Sequence, residues 1–276
     1  IENNGQDIRV LYQGSNCWTS LKRAAGRITY VDDDITRRLE KGMATLLHHN
    51  TGSFIRFVRD FVKGSSAYKD KDNEVYALML YYALFQDRID RIGFDNIHDA
   101  LSLLHHDTCA YFKQEIAEIF AYLAEHLQIK TKPIGDDIMP KLELYGCYTR
   151  EEIFTIVGRQ TATKKMQGSV TGVFNLPEHN ATLLFVTLNK SDEDFSPSTQ
   201  YNDYLINEDF FHWQSQNTDS HQNRGGHRYT KQTETDNKII LFVREEKRDG
   251  FGNTCAFHCF GLVDYVSSHG DFPMNV

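Results

Sequence analysis

The stretch Thr182-Leu183-Leu184-Phe185-Val186-Thr187-Leu188 decides the fold class, because apolar and β-branched residues follow one another without a helical repeat. Before Gly158, apolar residues recur every three to four positions, and after it the repeat becomes two. A period of two is typical of strands, whereas a period near 3.6 is typical of helices. The sequence therefore predicts an α+β protein with helices in its first half and strands in its second.

Further strands are predicted on both sides of this stretch. They cover 172–176, 239–243 and 256–266, with an interruption at Gly261 in the last. Short strands with turn residues and little helix between them are typical of antiparallel barrels and sandwiches. Residues 146–276 are therefore expected to form a mainly β recognition domain, built as an antiparallel β-barrel or sandwich.

Local signals accompany these strands. Thr149 and Glu152 have the spacing of a capping box at the start of a short helix. The Pro-Glu-His-Asn segment at 177–180 predicts a turn between two strands, and 191–203 and 218–235 are predicted to be long polar loops.

The residues before this domain have helical spacing. Acidic residues at 32–34 suit the positive end of a helix dipole, and Ser53 can cap a second helix that ends near Gly64. Further helices are predicted over 73–91, 96–104 and 107–127, and the last has a continuous apolar stripe made of Tyr111, Phe112, Ile116, Ile119, Phe120, Leu123 and Leu127. We expect a helical bundle over 32–145, after an irregular lead-in over 1–31.

Composition narrows the class of protein. No apolar run reaches the roughly 20 residues that span a bilayer, and the first residues are polar, so neither a membrane protein nor a secreted one is expected. The five cysteines show no disulfide spacing, which favours free thiols in a cytoplasmic protein. The chain does not begin with Met and ends within a predicted strand, so we expect it to be a fragment of a longer protein.

Two groups of residues are candidate metal ligands. Cys255 and Cys259, with Cys147 and His269 as further candidates, could hold zinc, but alternation along a strand favours core packing for the two cysteines. The adjacent pairs at 48–49 and 105–106 are histidines near predicted helix ends, where solvated or capping roles are expected. No metal or cofactor is predicted.

Several motifs occur in order in the second half of the chain. They are Tyr148-Thr-Arg-Glu-Glu-Ile, Gly172-Val-Phe, Tyr201-Asn-Asp-Tyr204, Phe211-His-Trp-Gln-Ser-Gln216, Ile240-Leu-Phe-Val-Arg-Glu245, Phe260-Gly-Leu-Val-Asp-Tyr265 and Gly270-Asp-Phe-Pro-Met274. Together they resemble the family called domain of unknown function 3427. The resemblance covers most of 145–276, and the helical half is similar to the segment that precedes this domain.

The resemblance implies a context. Such domains lie at the C-terminal end of bacterial superfamily 2 helicases, some with a phospholipase-D-type nuclease, in settings that suggest phage defence or restriction. The chain has neither a Walker-type phosphate loop nor a His-Lys-Asp motif. We therefore expect this chain to have no catalytic activity and to recognise a target. Its expected partner is the rest of a larger helicase-type chain.

The residues themselves suggest nucleic-acid recognition. Arg224 and Arg228 could hold phosphate, and the glycines between them at 225 and 226 would let backbone amides approach it. Aromatic side chains could stack on a base and amides could read its edge. The alternative is a solvated glycine loop beside a sheet, with the Tyr and Trp side chains in the core. The candidate site comprises Tyr201, Tyr204, His212, Trp213, Gln214, Ser215, Gln216, Asn217, Arg224, Gly225, Gly226, Arg228 and Tyr229.

The expected function is therefore DNA recognition, including sensing of modified DNA, in a fold of the PUA-like or SRA-like kind. The net charge of −8 is not typical of proteins that coat nucleic acid, but it allows a small basic patch. Two alternatives remain. One is a protein-docking or homo-oligomerisation module, and the other is a metal-dependent nuclease using His212, His227, His258 and His269 with Asp203, Asp209 and Asp271.

Overall fold

The computed structural model of the protein describes residues 7–135, 139–166, 171–190 and 201–276, apart from the side chain of Ser15. The chain forms two compact units that interleave along the sequence. The first contains Ile1–Thr131, Gly146–Gly168 and Gly250–Asn253. The second contains Lys132–Tyr145, Ser169–Asp249 and Thr254–Val276. The predicted loop over 191–203 falls mostly outside the described residues.

The first unit is helical. Its helices are α1 (Trp18–Ala24), α2 (Asp34–Ala44), α3 (Gly52–Val62), α4 (Glu74–Phe85), α5 (Ile89–Ile92), α6 (Ile97–Ser102), α7 (Ala110–Glu125) and α8 (Arg150–Ile156). Short 3-10 turns cover Ile8–Ser15, Ser66–Lys69, Lys71–Asn73, Leu103–His105 and Asp107–Cys109. Within the described ranges, none of the helices has both the length and the apolarity needed to cross a bilayer.

Helix α4 forms the centre of this unit, because every residue from Tyr76 to Phe85 is buried. A helix that is apolar on all sides is typical of a protein core. Gly42 allows α2 to pack closely against α4, since a Cβ at this position would lie 2.7 Å from the carbonyl oxygen of Ala83. Phe112, Ile116, Ile119 and Phe120 of the predicted stripe are buried on α7. Tyr111 and Leu127 at its two ends are exposed, so only the middle of the stripe faces the core.

The structure also corrects two predicted helices. The helix expected over 73–91 ends at Phe85, because Gln86 takes a left-handed backbone conformation with φ of 61° before α5 begins. The expected irregular lead-in contains α1, which has its own capping box between Cys17 and Ser20. By contrast, the capping box predicted from sequence between Thr149 and Glu152 is present at the start of α8.

The strands are short at the edges and longer at the centre. They are β1 (Lys132–Pro133), β2 (Glu143–Leu144), β3 (Cys147–Tyr148), β4 (Val173–Leu176), β5 (Ala181–Thr187), β6 (Tyr204–Leu205), β7 (Phe211–His212), β8 (Lys238–Arg244) and β9 (Phe257–Val263). A 3-10 turn at Pro177–His179 joins β4 to β5, as the sequence predicted.

Within the second unit the sheet runs in the order β9-β8-β5-β4. Strands β4 and β5 are antiparallel, as are β8 and β9, but β5 and β8 are parallel. The prediction of an antiparallel sheet was therefore wrong at its centre, and the described strands do not close into a barrel. Gly261, with φ of 79°, accommodates the bulge at which β9 shifts register against β8.

Two core layers cover the faces of this sheet. On one face, alternate residues such as Leu184, Val186 and Leu241 pack with Trp213 and Tyr229. On the other, the ring of Phe185 lies 5.3 Å from that of Phe242 and 5.2 Å from that of Phe257. Cys259 is fully buried on the same strand as Phe257, so core packing was the correct prediction for it.

The parallel pairing of β5 and β8 forces the chain to cross from one end of the sheet to the other. This crossover, 188–237, carries the β6–β7 hairpin, α9 (Arg224–Thr230) and α10 (Gln232–Thr235). It also carries all thirteen predicted site residues, of which Trp213 and Tyr229 pack on one face of the sheet.

Candidate nucleic-acid interface

Two of the predicted stacking residues are part of the core. Trp213 is 6% exposed and Tyr229 is 1% exposed, and their rings meet edge to face with centroids 4.9 Å apart. An indole buried in this way has no open face for a base. Their predicted stacking role is therefore replaced by an anchoring one, in which they attach the crossover to the sheet.

The predicted glycine loop is the first turn of helix α9. Asn223 caps this helix by accepting a hydrogen bond from the Gly226 N–H at 3.0 Å. A Cβ at Gly226 would lie 2.0 Å from the Ser220 carbonyl oxygen, and one at Gly225 would lie 2.0 Å from Asp219 Oδ1. Both glycines are thus required for close packing of α9 on 219–220, and they do not form an open phosphate loop.

Asp219 lies against helix α9 and contacts the buried tyrosine of that helix, Tyr229. The Tyr229 hydroxyl donates to Asp219 Oδ2 at 3.4 Å. Burial raises the pKa of the Asp219 carboxyl, although the positive charge of Arg228 opposes the change. Burial also raises the pKa of Tyr229 well above its ordinary value, and the Asp219 charge adds to this effect.

The Gln214 side chain holds three segments together. Its Oε1 accepts from the Asn202 N–H at 2.7 Å, and its Nε2 donates to Asn275 Oδ1 at 3.0 Å. Its backbone N–H donates to Asp203 Oδ1 at 2.9 Å, while Lys190 Nζ lies 2.8 Å from Asp203 Oδ2 in a buried ion pair. Both ends of the amide are therefore occupied within the protein, which leaves Gln214 a positioning role.

The neighbouring serine has a similar role. Ser215 is fully buried, and its Oγ accepts from the Met274 N–H at 2.9 Å and donates to the Gln216 carbonyl at 3.2 Å. Trp213 exchanges backbone hydrogen bonds of 2.9 and 2.8 Å with Val276. These bonds attach the last residues of the chain to 213–215, where the sequence had predicted a final strand.

The accessible part of the site starts at the β6–β7 hairpin. Tyr204 is 44% exposed, and its ring stacks on His212 with centroids 4.5 Å apart and planes 14° apart. His212 Nδ1 donates to the Asn202 carbonyl at 2.9 Å, so Nε2 is the acceptor of the neutral ring. Tyr201 is half-buried and its carbonyl accepts from Lys190 Nζ at 2.8 Å, while Asn217 is exposed and Gln216 is half-buried.

The outer face of α9 is basic. Arg224, His227 and Arg228 lie three and four positions apart, which places them on one side of the helix, and Lys231 follows as its C-cap. The opposite side carries the buried residues Gly226 and Tyr229. The predicted cations at 224 and 228 therefore lie on one face, and sequence reasoning missed the two residues that extend it.

A histidine–carboxylate–serine network, also missed, lies beside this helix. His221 Nδ1 is 2.9 Å from Asp271 Oδ1, and His221 Nε2 is 2.8 Å from Ser268 Oγ. The Tyr265 hydroxyl is 2.9 Å from the same Oγ. Hydrogen bonds from the His221 backbone and ring lower the pKa of Asp271. The sequence signal was the cluster Ser268-His-Gly-Asp271, but its partner is 47 residues away from Ser268.

The residues proposed for a nuclease metal site do not meet as a group. Asp203 is paired with Lys190 and Asp271 with His221. Within the described part of the chain, none of these histidines and aspartates belongs to a set of three metal donors within reach of one another.

Comparison with known protein families gives a match in the second half of the chain. Residues 142–274 match the model of a family described as Domain of unknown function (DUF3427). The match supports the resemblance drawn from the motifs, and it covers the residues of β2 to β9 and the whole crossover. No curated protein and no solved structure has significant similarity to the chain. The likeness to PUA-like or SRA-like folds therefore stays a prediction.

Proposed function

We propose that the second unit binds DNA through the outer face of α9 and the Tyr204–His212 pair, and that this binding recognises the target of a helicase-type defence protein. The basic face of α9 is the observation that carries the proposal. Arg224, His227 and Arg228 share one side of a short helix, and Lys231 caps its end, in a chain whose net charge is −8. Such a concentration favours phosphate contacts.

Base recognition is assigned to the hairpin. The His212 ring already stacks on Tyr204, so the pair offers a preformed aromatic surface at low entropic cost. Gln216 and Asn217 follow on the same segment and supply amide groups suited to reading a base edge. Trp213, Gln214, Ser215 and Tyr229 position this surface from beneath, through the contacts described above. An unpaired or modified base suits such a surface best, because a stacked base in a duplex has no free face.

The test measures fluorescence anisotropy of labelled DNA duplexes, unmodified and carrying a modified cytosine, at two salt concentrations. The wild-type chain should bind, and its affinity should fall as salt rises. The Arg224→Ala, Arg228→Ala variant should lower affinity and reduce the salt slope by about 2, because roughly 0.9 counterions are released per phosphate contact. Circular dichroism would show that the variant is folded.

The matched control is Arg56→Ala, Arg59→Ala, which removes the same charge from exposed positions of α3 in the first unit. Binding should match wild type in this control. An equal loss of DNA affinity in both double variants would mean that binding depends on the net charge and that α9 is not the binding site. If no nucleic acid binds, the proposal fails and the exposed apolar residues Leu205, Ile206 and Phe210 of the hairpin favour protein docking.

Hydrolysis at Ser268 is a second candidate function, favoured by the order of hydrogen bonds Asp271–His221–Ser268. The same order activates the nucleophile of serine hydrolases. Ser268 Oγ would attack an acyl carbon and pass its proton through His221 to the leaving group. In this order Ser268 Oγ donates to His221 Nε2 and would accept from the Tyr265 hydroxyl, so breaking the contact with Tyr265 should raise the nucleophilicity of Oγ.

A fluorophosphonate probe tests the hydrolase candidate directly, because it labels serines that a histidine activates. Labelling at Ser268 that is lost in Ser268→Ala and His221→Ala would support hydrolysis. Ser267→Ala, at the adjacent exposed residue, is the control and should label normally. Absence of labelling would leave the network as a structural tie between the segments at 221 and 265–271.

A further inference from the structure

Three side chains that are distant in sequence meet inside the first unit. His48 and His49 lie between α2 and α3, and Glu152 lies in the first turn of α8. One donor atom from each of these residues lies within 4.8 Å of those of the other two. In the described ranges no other set of three His, Cys, Asp or Glu side chains comes this close.

Each histidine contacts one oxygen of the same carboxylate, His48 through a hydrogen bond, and both distances are close to those between two ligand atoms of one ion. His48 Nε2 lies 2.9 Å from Glu152 Oε2, and His49 Nε2 lies 3.3 Å from Glu152 Oε1. Each carboxylate oxygen therefore faces one imidazole nitrogen. Ligand atoms bonded to Zn²⁺ at about 2.0–2.1 Å are separated by about 3.3 Å in a regular tetrahedron.

His49 provides an independent observation. Its side chain has no exposed surface, and neither ring nitrogen has a hydrogen-bond partner among the described residues. The 3.3 Å contact with Glu152 lacks hydrogen-bond geometry. Buried polar nitrogens nearly always have a partner, so an imidazole directed at a carboxylate without bonding it requires an explanation. A bound cation would satisfy Nε2.

The surroundings keep the ring and the carboxylate in place. The His49 ring packs 4.3 Å from that of Phe54 and 4.2 Å from that of His48, centroid to centroid. The Thr149 N–H donates to Glu152 Oε2 at 2.8 Å. Such support around the donors is typical of metal sites, where neighbouring groups orient the ligands. The unpaired Nδ1 of His49 is a departure from that pattern.

We propose that His48, His49 and Glu152 bind one divalent transition-metal cation of the Zn²⁺ type, with a remaining position for water or a further ligand. Two imidazoles and one carboxylate suit Zn²⁺, whereas Mg²⁺ and Ca²⁺ prefer oxygen ligands alone. The sequence had predicted solvated or capping roles for the histidine pair. Because His49 and Glu152 are buried, the ion would attach 48–49 to the start of α8, and the proposed role is stabilisation.

The test uses the full chain without a purification tag, stripped of metal with a chelator and then titrated. Co²⁺ absorbance reports coordination geometry, and calorimetry with Zn²⁺ reports affinity and stoichiometry. One ion per chain is expected. His48→Ala should weaken Zn²⁺ binding more than about tenfold, since loss of even a supporting residue costs 10- to 100-fold. His106→Ala, an exposed member of the other histidine pair, should bind as wild type.

Glu152→Gln keeps the side-chain size and serves as the second variant. It should also lose Zn²⁺ binding, and it decides the matter if circular dichroism shows that His48→Ala is unfolded. The proposal is overturned if the wild-type chain shows no saturable binding of Zn²⁺. It is equally overturned if folded His48→Ala or folded Glu152→Gln binds as tightly as wild type. The DNA-binding assay is separate, so either proposal can fail alone.

Discussion

Each unit of the protein holds a cluster in which a histidine meets a carboxylate at 2.9 Å, but one cluster is buried and the other faces water. In the first unit His48 contacts Glu152, whose side chain is 7% exposed. In the second unit His221 contacts Asp271, whose side chain is 42% exposed. The two contacts therefore have the same length but differ in how far the carboxylate is exposed to water.

The difference teaches that solvent, more than distance, sets the energy of such a contact. Removing one partner of a buried pair leaves a charge or a polar group without water, which is costly. Near the surface, water and salt screen the contact and replace a missing partner. The pKa of both carboxyls is lowered, but only Glu152 has to overcome a large opposing effect of burial.

The largest expected effect is at the buried cluster. Glu152→Ala should lower the free energy of unfolding by about 3–5 kcal/mol, because it leaves His48 and the Thr149 N–H without an acceptor. Denaturant unfolding in a chelating buffer measures the change without bound metal. Glu151→Ala, at the adjacent exposed position, should change it by less than about 0.5 kcal/mol. A loss below about 1 kcal/mol for Glu152→Ala would contradict this account.

An intermediate effect is expected at the contact between helix α9 and Ser220, the residue that precedes His221 of the exposed cluster. Gly226→Ala should lower the free energy of unfolding by about 1–3 kcal/mol, because the added methyl would lie 2.0 Å from the Ser220 carbonyl oxygen. Gly250→Ala is the control, since nothing lies within 4 Å of a Cβ at that position. If both variants unfold alike, α9 does not depend on this close contact.

A smaller effect is expected at the exposed pair. His221→Ala should lower the melting temperature by less than about 4 °C, because water replaces the lost hydrogen bonds to Asp271 and Ser268. High salt should shrink the difference further. Thermal unfolding at two salt concentrations provides the measurement. A loss as large as that of Glu152→Ala would show that exposure does not distinguish the two clusters.

The smallest effect is a pH dependence within the second unit. Asp271 has a pKa below its ordinary 3.8, so its stabilisation is present above that value and is lost as pH falls through the folded-state pKa. Asp219 has a raised pKa, so its contribution is present below 3.8 and is lost as pH rises through the folded-state pKa.

Thermal unfolding across the acid range measures both contributions. Asp271→Asn should remove part of the rise of stability with pH, and Asp219→Asn should remove part of the fall. The two variants should therefore change the profile in opposite directions. Changes of the same sign would contradict the assigned surroundings of one of the two carboxyls.

Sequence reasoning succeeded where a pattern depends on neighbours along the chain. The capping box at Thr149 and Glu152 and the core-facing side of α7 follow from local spacing, and both are present. The direction of strand pairing does not follow from spacing, since a buried run such as 182–188 looks alike in parallel and antiparallel sheets. The parallel pairing of β5 and β8 was missed for this reason.

The candidate site was harder to predict, because its residue types suit both binding and packing. The rings of Trp213 and Tyr229 can stack on a base or fill a core. They fill the core here because they pack against the sheet, and that packing is not visible in the sequence. Gly225 and Gly226 suggested a loop, although close contact with 219–220 makes them part of a helix. His49 and Glu152 are 103 positions apart, so no local signal could bring them together.

The parallel pairing of β5 and β8 has a consequence for synthesis on the ribosome. Thr187 pairs with Arg244, so the two central strands cannot join until the intervening crossover has been translated and has left the exit tunnel. Until then β5 is an apolar strand with an open edge, which is prone to pair with other chains. Nascent chains stalled before Arg244 has left the tunnel should therefore engage chaperones, and chains stalled after it has emerged should be released from them.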